Sequence, residues 1–261
     1  MSAPLQGRVV VVTRPEGQAD RLCRLLCAAG AEVLRLPVIA IAPPGDPGAA
    51  RKTLERAPAG TPFIFISSNA VEQAEAVAPG GIAALRGPLL AVGPTTAAAL
   101  RRLGGREVVA PEEGWDSEAL LRLPQLSGPA VAGRLVVIVR GEGGRELLAR
   151  ELERRGAEVR YAEVYRRIRP ASDTALLLEA WAQGREVTIV ITSGEGLENL
   201  FAMIPARRHP DLKASRLLVA SERIARAARE AGCKRVMVSE GAGDAALLRA
   251  LVADSPPGGE A

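Results

Sequence analysis

Histidine is nearly missing from this chain: His209 is the only one in 261 residues. That scarcity removes HExxH zinc sites, histidine-rich metal cages and a serine–histidine–aspartate triad. His209 lies in the polar stretch 205–211 and reads as a surface-loop residue. Aromatic residues make up only 3% of the chain, so its cores must be built from Leu, Val, Ile and Ala. Scattered aromatics also argue against a nucleic-acid surface, where stacking rings accompany a basic stripe. Cysteines number three. Cys23 and Cys27 stand four apart on a predicted helix. Two thiolates are too few for a usual zinc site, so they read as small buried residues on its apolar face. No apolar run reaches the ~18 residues that span a bilayer. Val9–Val12 is too short for a secretory core of ~7–15 residues, so the expected location is cytoplasmic.

What is present is an ordinary globular composition, 48% hydrophobic and 25% charged. At ~100–200 residues per domain, the length allows one large or two small domains. The formal charge of +4 suits an anionic partner such as nucleic acid, a membrane surface or a polyacidic small molecule. Most arginines stand beside glutamates, as over 150–155, which is also the pattern of a plain solvated surface. The tail 254–261, with its Pro-Pro-Gly-Gly, is expected to be disordered.

An internal repeat organises the chain. The segment from Arg8 to Ile41 resembles the segment from Arg134 to Ile168. Arg14 matches Arg140, and Gly-Ala-Glu-Val at 30–33 returns at 156–159, both 126 residues on. Downstream, Phe63-IFISSNAVEQA resembles Thr188-IVITSGEGLENL, aligning Ser68 with Ser193. Leu89-LAVGPTTAAAL resembles Leu217-LVASERIARAA, aligning Gly93 with Ser221. Within a copy, Val9–Thr13, Glu32–Leu36, Phe63–Ser67, Leu89–Val92 and Glu107–Ala110 read as strands, each followed by a helical pattern. Leu22, Leu25, Leu26 and Ala29 line one helix face, and Gly30 stops that helix. Strands alternating with helices imply a parallel sheet covered on both faces. Five strands fit the flavodoxin/Rossmann-like doubly wound type, with order 2-1-3-4-5. The expected fold class is therefore α/β, with two such domains facing each other. The proline-ended stretches after the second strands, near 36–42 and 161–169, could form a two-stranded β-ladder linking them. Periodicity does not say which first half pairs with which second half.

In such sheets ligands bind outside the carboxyl ends of the strands. Those ends carry Arg14 and Arg140 after the first strands, and Ser67-Ser68-Asn69 and Thr192-Ser193-Gly194 after the third. After the fourth come Gly93 with Thr96, and Ser221 with Arg223. Helix N-termini there would favour anions, and several facing one cleft would suit a polycarboxylate. Simple N-capping by Ser and Thr accounts for the same residues one at a time. The glycines of 141–144 fail as GxGxxG because Glu146 occupies the third glycine position, and no Walker A sequence occurs, so no nucleotide cofactor is expected. Tyr161 and Tyr165, the only tyrosines, could donate a proton or simply pack at a domain junction.

Val11-VTRP, Gly30-AEVLRLPVIAI, Phe65-ISSNAVE, Ala91-VGPTTAAAL, Val159-RYAEVYRR, Ile191-TSGEGLENL and Val219-ASERIARAA, in this order and spacing from about Arg8 to Leu251, resemble the uroporphyrinogen-III synthase family. That resemblance implies two α/β domains joined by a β-ladder. One is formed by 1–37 with 168–261 and the other is an insert of 40–165. It implies a monomer that converts hydroxymethylbilane to uroporphyrinogen III, with loss of water and inversion of ring D, using no metal or organic cofactor and no nucleic-acid or membrane partner. By the same resemblance Tyr165 is the catalytic residue, a proton donor to the departing hydroxyl. Arg14, Ser68, Asn69, Gly93, Thr96, Arg140, Ser193, Gly194, Ser221 and Arg223 are expected to bind the substrate. Ser221-ERI stands where some members carry Gly-Pro-Thr-Thr, so a threonine contact is lost there or replaced by Arg223. A non-catalytic, two-lobed sensor of an anionic metabolite would share most of this pattern.

Overall fold

The computed structural model describes residues 3–144 and 146–254. Residues 255–261 of the tail expected to be disordered lie outside them, as does Arg145. In chain order the regular elements are β1 (Val9–Val12), α1 (Glu16–Ala28), β2 (Glu32–Arg35), β3 (Ala40–Ala42), α2 (Pro47–Glu55), β4 (Phe63–Phe65), α3 (Ser68–Val77), β5 (Leu89–Ala91), α4 (Pro94–Arg102) and β6 (Val108–Val109). They continue with α5 (Ser117–Leu121), α6 (Gly128–Val131), β7 (Leu135–Gly141), α7 (Leu147–Arg154), β8 (Glu158–Ile168), α8 (Ala175–Ala182), β9 (Val187–Ile191), α9 (Gly194–Met203), α10 (His209–Ala214), β10 (Arg216–Val219), α11 (Glu222–Glu230), β11 (Arg235–Val238) and α12 (Asp244–Ala253).

Two compact units result. Unit 1 comprises 1–40 with 168–261, and unit 2 comprises 41–167. Unit 1 holds the sheet β11-β10-β9-β1-β2, parallel throughout. Counted within the unit, that is the expected order 2-1-3-4-5. Unit 2 holds β3-β8-β7-β4-β5-β6. Its strands from β8 to β6 are parallel and occupy the same spatial order, but the chain visits the last three first. Each sequence repeat is therefore divided between the sheets. The first two strands of one copy pair with the last three of the other. The segment 161–169, expected to form a ladder with 36–42, is for the most part the second half of β8, paired with β7 as far as Tyr165 and bordered on its other side by β3.

The strands are continuous apolar runs because both faces of each sheet are buried. In unit 1, Val9, Val11, Ile189 and Leu217 pack on one face, and Val10, Val12, Val190 and Leu218 on the other. In unit 2, Phe63, Phe65, Val137 and Val139 face one layer, and Ile64, Val136 and Ile138 the opposite one. Helix α1 ends where Gly30 adopts φ +94°, a conformation glycine reaches without a Cβ clash. Cys23 lies in the core of unit 1, whereas Cys27 is exposed, correcting the expectation that both are buried. One turn further along, Cys27 points past the edge of the apolar stripe. His209 is likewise no plain loop residue. It opens α10, and its Nε2 lies 3.0 and 3.1 Å from the carbonyls of Phe201 and Ile204 at the end of α9.

Candidate functional site

The doubly wound order creates a switch point between the first and third strands of each unit, where the following helices leave on opposite faces. In unit 2 this point lies between β4 and β7. Beyond β4, Ser67 is the N-cap of α3, its Oγ accepting a hydrogen bond from the amide of Ala70 at 3.1 Å. Ser68 is the first helical residue and does not cap. In unit 1 the corresponding cap is Ser193, which accepts from the amide of Gly196 at 3.0 Å. The sheet registers settle the equivalence. Phe63 pairs with Val137 and Ile189 pairs with Val11, so Phe63 corresponds to Ile189 and Ser67 to Ser193. Sequence comparison matched Ser193 with Ser68 instead of Ser67 by letting the offset slip to 125. Keeping the 126 that relates Arg14 to Arg140 would have found it.

Beside Ser67 the β7–β8 pairing is irregular. Ile138 opposes Tyr161 and Arg140 opposes Glu163, but the next partner of Gly141 is Tyr165. One extra residue on β8, a β-bulge, resets the alternation. Without it Tyr165 would share the face of Tyr161 and Glu163. With it, Tyr165 turns into the opposite layer together with Ala162 and Val164. The Tyr165 ring is 2% exposed, and its hydroxyl sits 3.3 Å from Ser67 Oγ. Directly across, a Cβ on Gly141 would lie 2.6 Å from ring carbons Cε2 and Cζ, so only glycine leaves room for the ring.

On the other face Arg140 is 7% exposed. Its Nε and Nη2 donate to Glu163 Oε1 at 3.1 and 2.9 Å, and its guanidinium lies 3.6 Å from the centre of the Tyr161 ring. Burial pushes the Tyr161 phenol above its ordinary pKa, and the nearby Arg140 charge partly offsets this. These two residues, with Ile66, Val92, Ile138 and Asp116, line a cavity of about 250 Å³ at the carboxyl edge of the sheet. The next turn carries Gly93 as N-cap of α4, with Thr96 buried in its first turn. Trp115, 67% exposed, packs over Gly93, whose Cβ would stand 3.1 Å from that of the tryptophan. Asn69 is the second residue of α3.

The carboxyl edge of unit 1 collects Arg14, Ser193, Gly194, Ser221 and Arg223. The Arg14 guanidinium is engaged by the Asp244 carboxylate and the Ala242 carbonyl, which ties the end of β1 to the start of α12. Ser221 is the N-cap residue of α11, and among the described residues its side chain makes no capping bond. Arg223 is exposed and overhangs the start of α9, where a Cβ on Gly194 would lie 3.5 Å from its Nη1. The starts of α3 and α4 in unit 2, and of α9 and α11 in unit 1, all lie at carboxyl ends of strands. Each presents amide donors and about half a positive charge. Among the described residues no group of three or more His, Cys, Asp or Glu could hold a metal ion. None of their helices is long and apolar enough to cross a membrane.

A model of the family described as uroporphyrinogen-III synthase HemD matches residues 20–249. The chain belongs to the uroporphyrinogen-III synthase family. The uroporphyrinogen-III synthase of Escherichia coli K12 is 45% identical over 163 residues, which cover 62% of this chain and 65% of that protein. The chain thus aligns with about two thirds of that relative, and with the same share of the Salmonella typhimurium one at 44% identity. The putative uroporphyrinogen-III synthase of Methanothermobacter thermautotrophicus is 30% identical over 204 residues, 76% of this chain and 79% of that one. Among solved structures, uroporphyrinogen-III synthetase from Helicobacter pylori aligns over 94% of this chain and 99% of its own, with a TM-score of 0.63 at 14% identity. The Thermus thermophilus enzyme gives a TM-score of 0.56 at 21% identity, covering 95% of this chain. At those identities the likeness establishes the family's fold for this chain.

Proposed function

We propose that this chain is a uroporphyrinogen-III synthase, closing hydroxymethylbilane into uroporphyrinogen III with inversion of ring D and loss of water. The observation that carries the reading is the family match across 20–249. The geometry supports it through helix starts that offer amide donors to a substrate bearing many carboxylates. Ser193, Gly194, Ser221 and Arg223 in unit 1, and Ser68, Asn69, Gly93 and Thr96 in unit 2, are the proposed contacts. Arg14 contributes by fixing the β1–α12 corner.

The chemistry asks little of the protein beyond protons and position. The hydroxyl leaves as water once protonated, the substituted carbon of ring D attacks to give a spiro intermediate, and rearrangement ends with loss of a ring proton. One proton is consumed and one released, so a single donor can be restored in each turnover. In this reading Tyr165 is that donor. Its ring is enclosed, so its proton reaches the substrate by way of Ser67 Oγ. Folding the bilane so that ring D meets the reactive terminus supplies the rest, and such positioning can lower a barrier by ~7–11 kcal/mol. No cofactor takes part. The protein acts as a monomer in the cytoplasm, with no nucleic-acid or membrane partner.

The test compares the wild type with Tyr165→Phe and Tyr161→Phe on freshly made hydroxymethylbilane. The wild type should consume it faster than buffer, and Tyr161→Phe should stay within a few-fold of the wild type. Tyr165→Phe should lose about 10²-fold or more in kcat, the scale of a lost general acid. Full turnover by Tyr165→Phe would remove the tyrosine from that role, and no turnover by the wild type would remove the reading altogether.

A further inference from the structure

The β7–β8 edge holds a second device, built from residues that the proton donor itself does not explain. Arg140 lies in the strand at the step before the register shift, and Glu163 stands directly opposite. The carboxylate accepts from Arg140 Nε and Nη2, and the same Oε1 atom is 3.3 Å from the amide of Gly143 beyond the bulge. Arg140 is also stacked at 3.6 Å against Tyr161, the preceding residue on that face of β8. One guanidinium thus holds β8 at two places, and one carboxylate oxygen ties β7 to the turn that follows it. Immediately past this clamp the strands slip by one residue, and the slip decides which layer receives Tyr165.

We propose that Arg140, Glu163 and Tyr161 form a register lock whose function is to aim the Tyr165 phenol at Ser67, with Gly141 supplying the space for its ring. Arg140 is accordingly a positioning residue and not a contact for the substrate's carboxylates. A buried arginine is a costly way to hold two strands. Its planar fork can grip a carboxylate and stack on a ring at once, which a lysine cannot reproduce. The clamp and Tyr165 lie on opposite faces, so the coupling runs through the backbone register rather than through side-chain contact. The inference rests on the proposed role of Tyr165 only for its effect on rate, since the aim of the ring can be read independently.

The experiment labels tyrosine Cζ with carbon-13 in the full chain. There are two tyrosines, so two resonances appear, and Tyr161→Phe assigns them. In Arg140→Lys and in Glu163→Gln the Tyr165 resonance should move or broaden. The kcat for the III isomer should fall about 10²-fold with KM little changed, the scale of a misplaced catalytic group. Gly141→Ala should displace the same resonance by crowding the ring directly. Glu163, whose side chain is 37% exposed, keeps the measurement available if Arg140→Lys does not fold. A Tyr165 resonance unmoved in the folded clamp variants overturns the lock, whatever their rates. A moved resonance alongside wild-type turnover by Tyr165→Phe upholds the lock and overturns only the acid role.

Discussion

Ser67 and Ser68 are neighbours with different work. Ser67 holds the open amide of Ala70 and meets the Tyr165 hydroxyl, whereas Ser68 begins the helix. Removing a serine cap typically costs about 1 kcal/mol, while an ordinary exposed-side substitution stays within about 0.5 kcal/mol. Ser67→Ala should therefore lower the unfolding free energy in urea by about 1 kcal/mol. Ser68→Ala should leave it almost unchanged. The reverse ranking would mean that the helix starts one residue later. The sequence marked this turn as serine-bearing but aligned Ser68, not Ser67, with Ser193. Adjacent serines differ in role only through the strand register, and local pattern does not encode that. Tyr165 presents the same difficulty. Its position was visible, but its side of the sheet depends on a single extra residue in β8.

At the scale of elements, α7 offers a test that pH can read. Glu151 accepts hydrogen bonds from Arg154 at 2.7 and 2.8 Å and from Arg155 at 3.0 Å. These bonds hold its pKa at about 2, against an ordinary 4.5. The carboxylate is charged more readily in the folded chain, so its stabilising contribution is complete above pH 4.5. It is lost as pH falls toward about 2. In Glu151→Gln the acid limb of the stability curve should be flatter across that window, as followed by thermal melts. An identical acid limb in both proteins would show that the pair contributes nothing. Most elements were legible in advance because their apolar runs are buried on both faces and bounded by glycine, serine or proline. The stretch 161–169 was legible as extended and as a ladder partner of 36–42, but not as the second half of β8, because its polar end at Arg166-Arg167 looks like a connection.

At the scale of the molecule, the division of each repeat between two sheets has a practical consequence. Unit 2 is one continuous stretch, 41–167, with buried layers on both faces of its own sheet. It should fold when expressed alone, giving a cooperative denaturation curve and dispersed amide resonances. An unfolded fragment would mean that unit 2 depends on the rest of the chain. The duplication was plain in the sequence, but the exchange of halves was not. The link from the second to the third strand of a copy can lead into either sheet with the same local pattern.

The reading that joins these scales is that the chain directs a linear tetrapyrrole toward one of two possible rings. Hydroxymethylbilane closes unaided to the I isomer, so isomer identity in the oxidised product reports the protein's action. Incubating the full chain with fresh substrate at rising protein concentration should convert the product from the I to the III isomer. A product that remains the I isomer at every concentration would contradict the account.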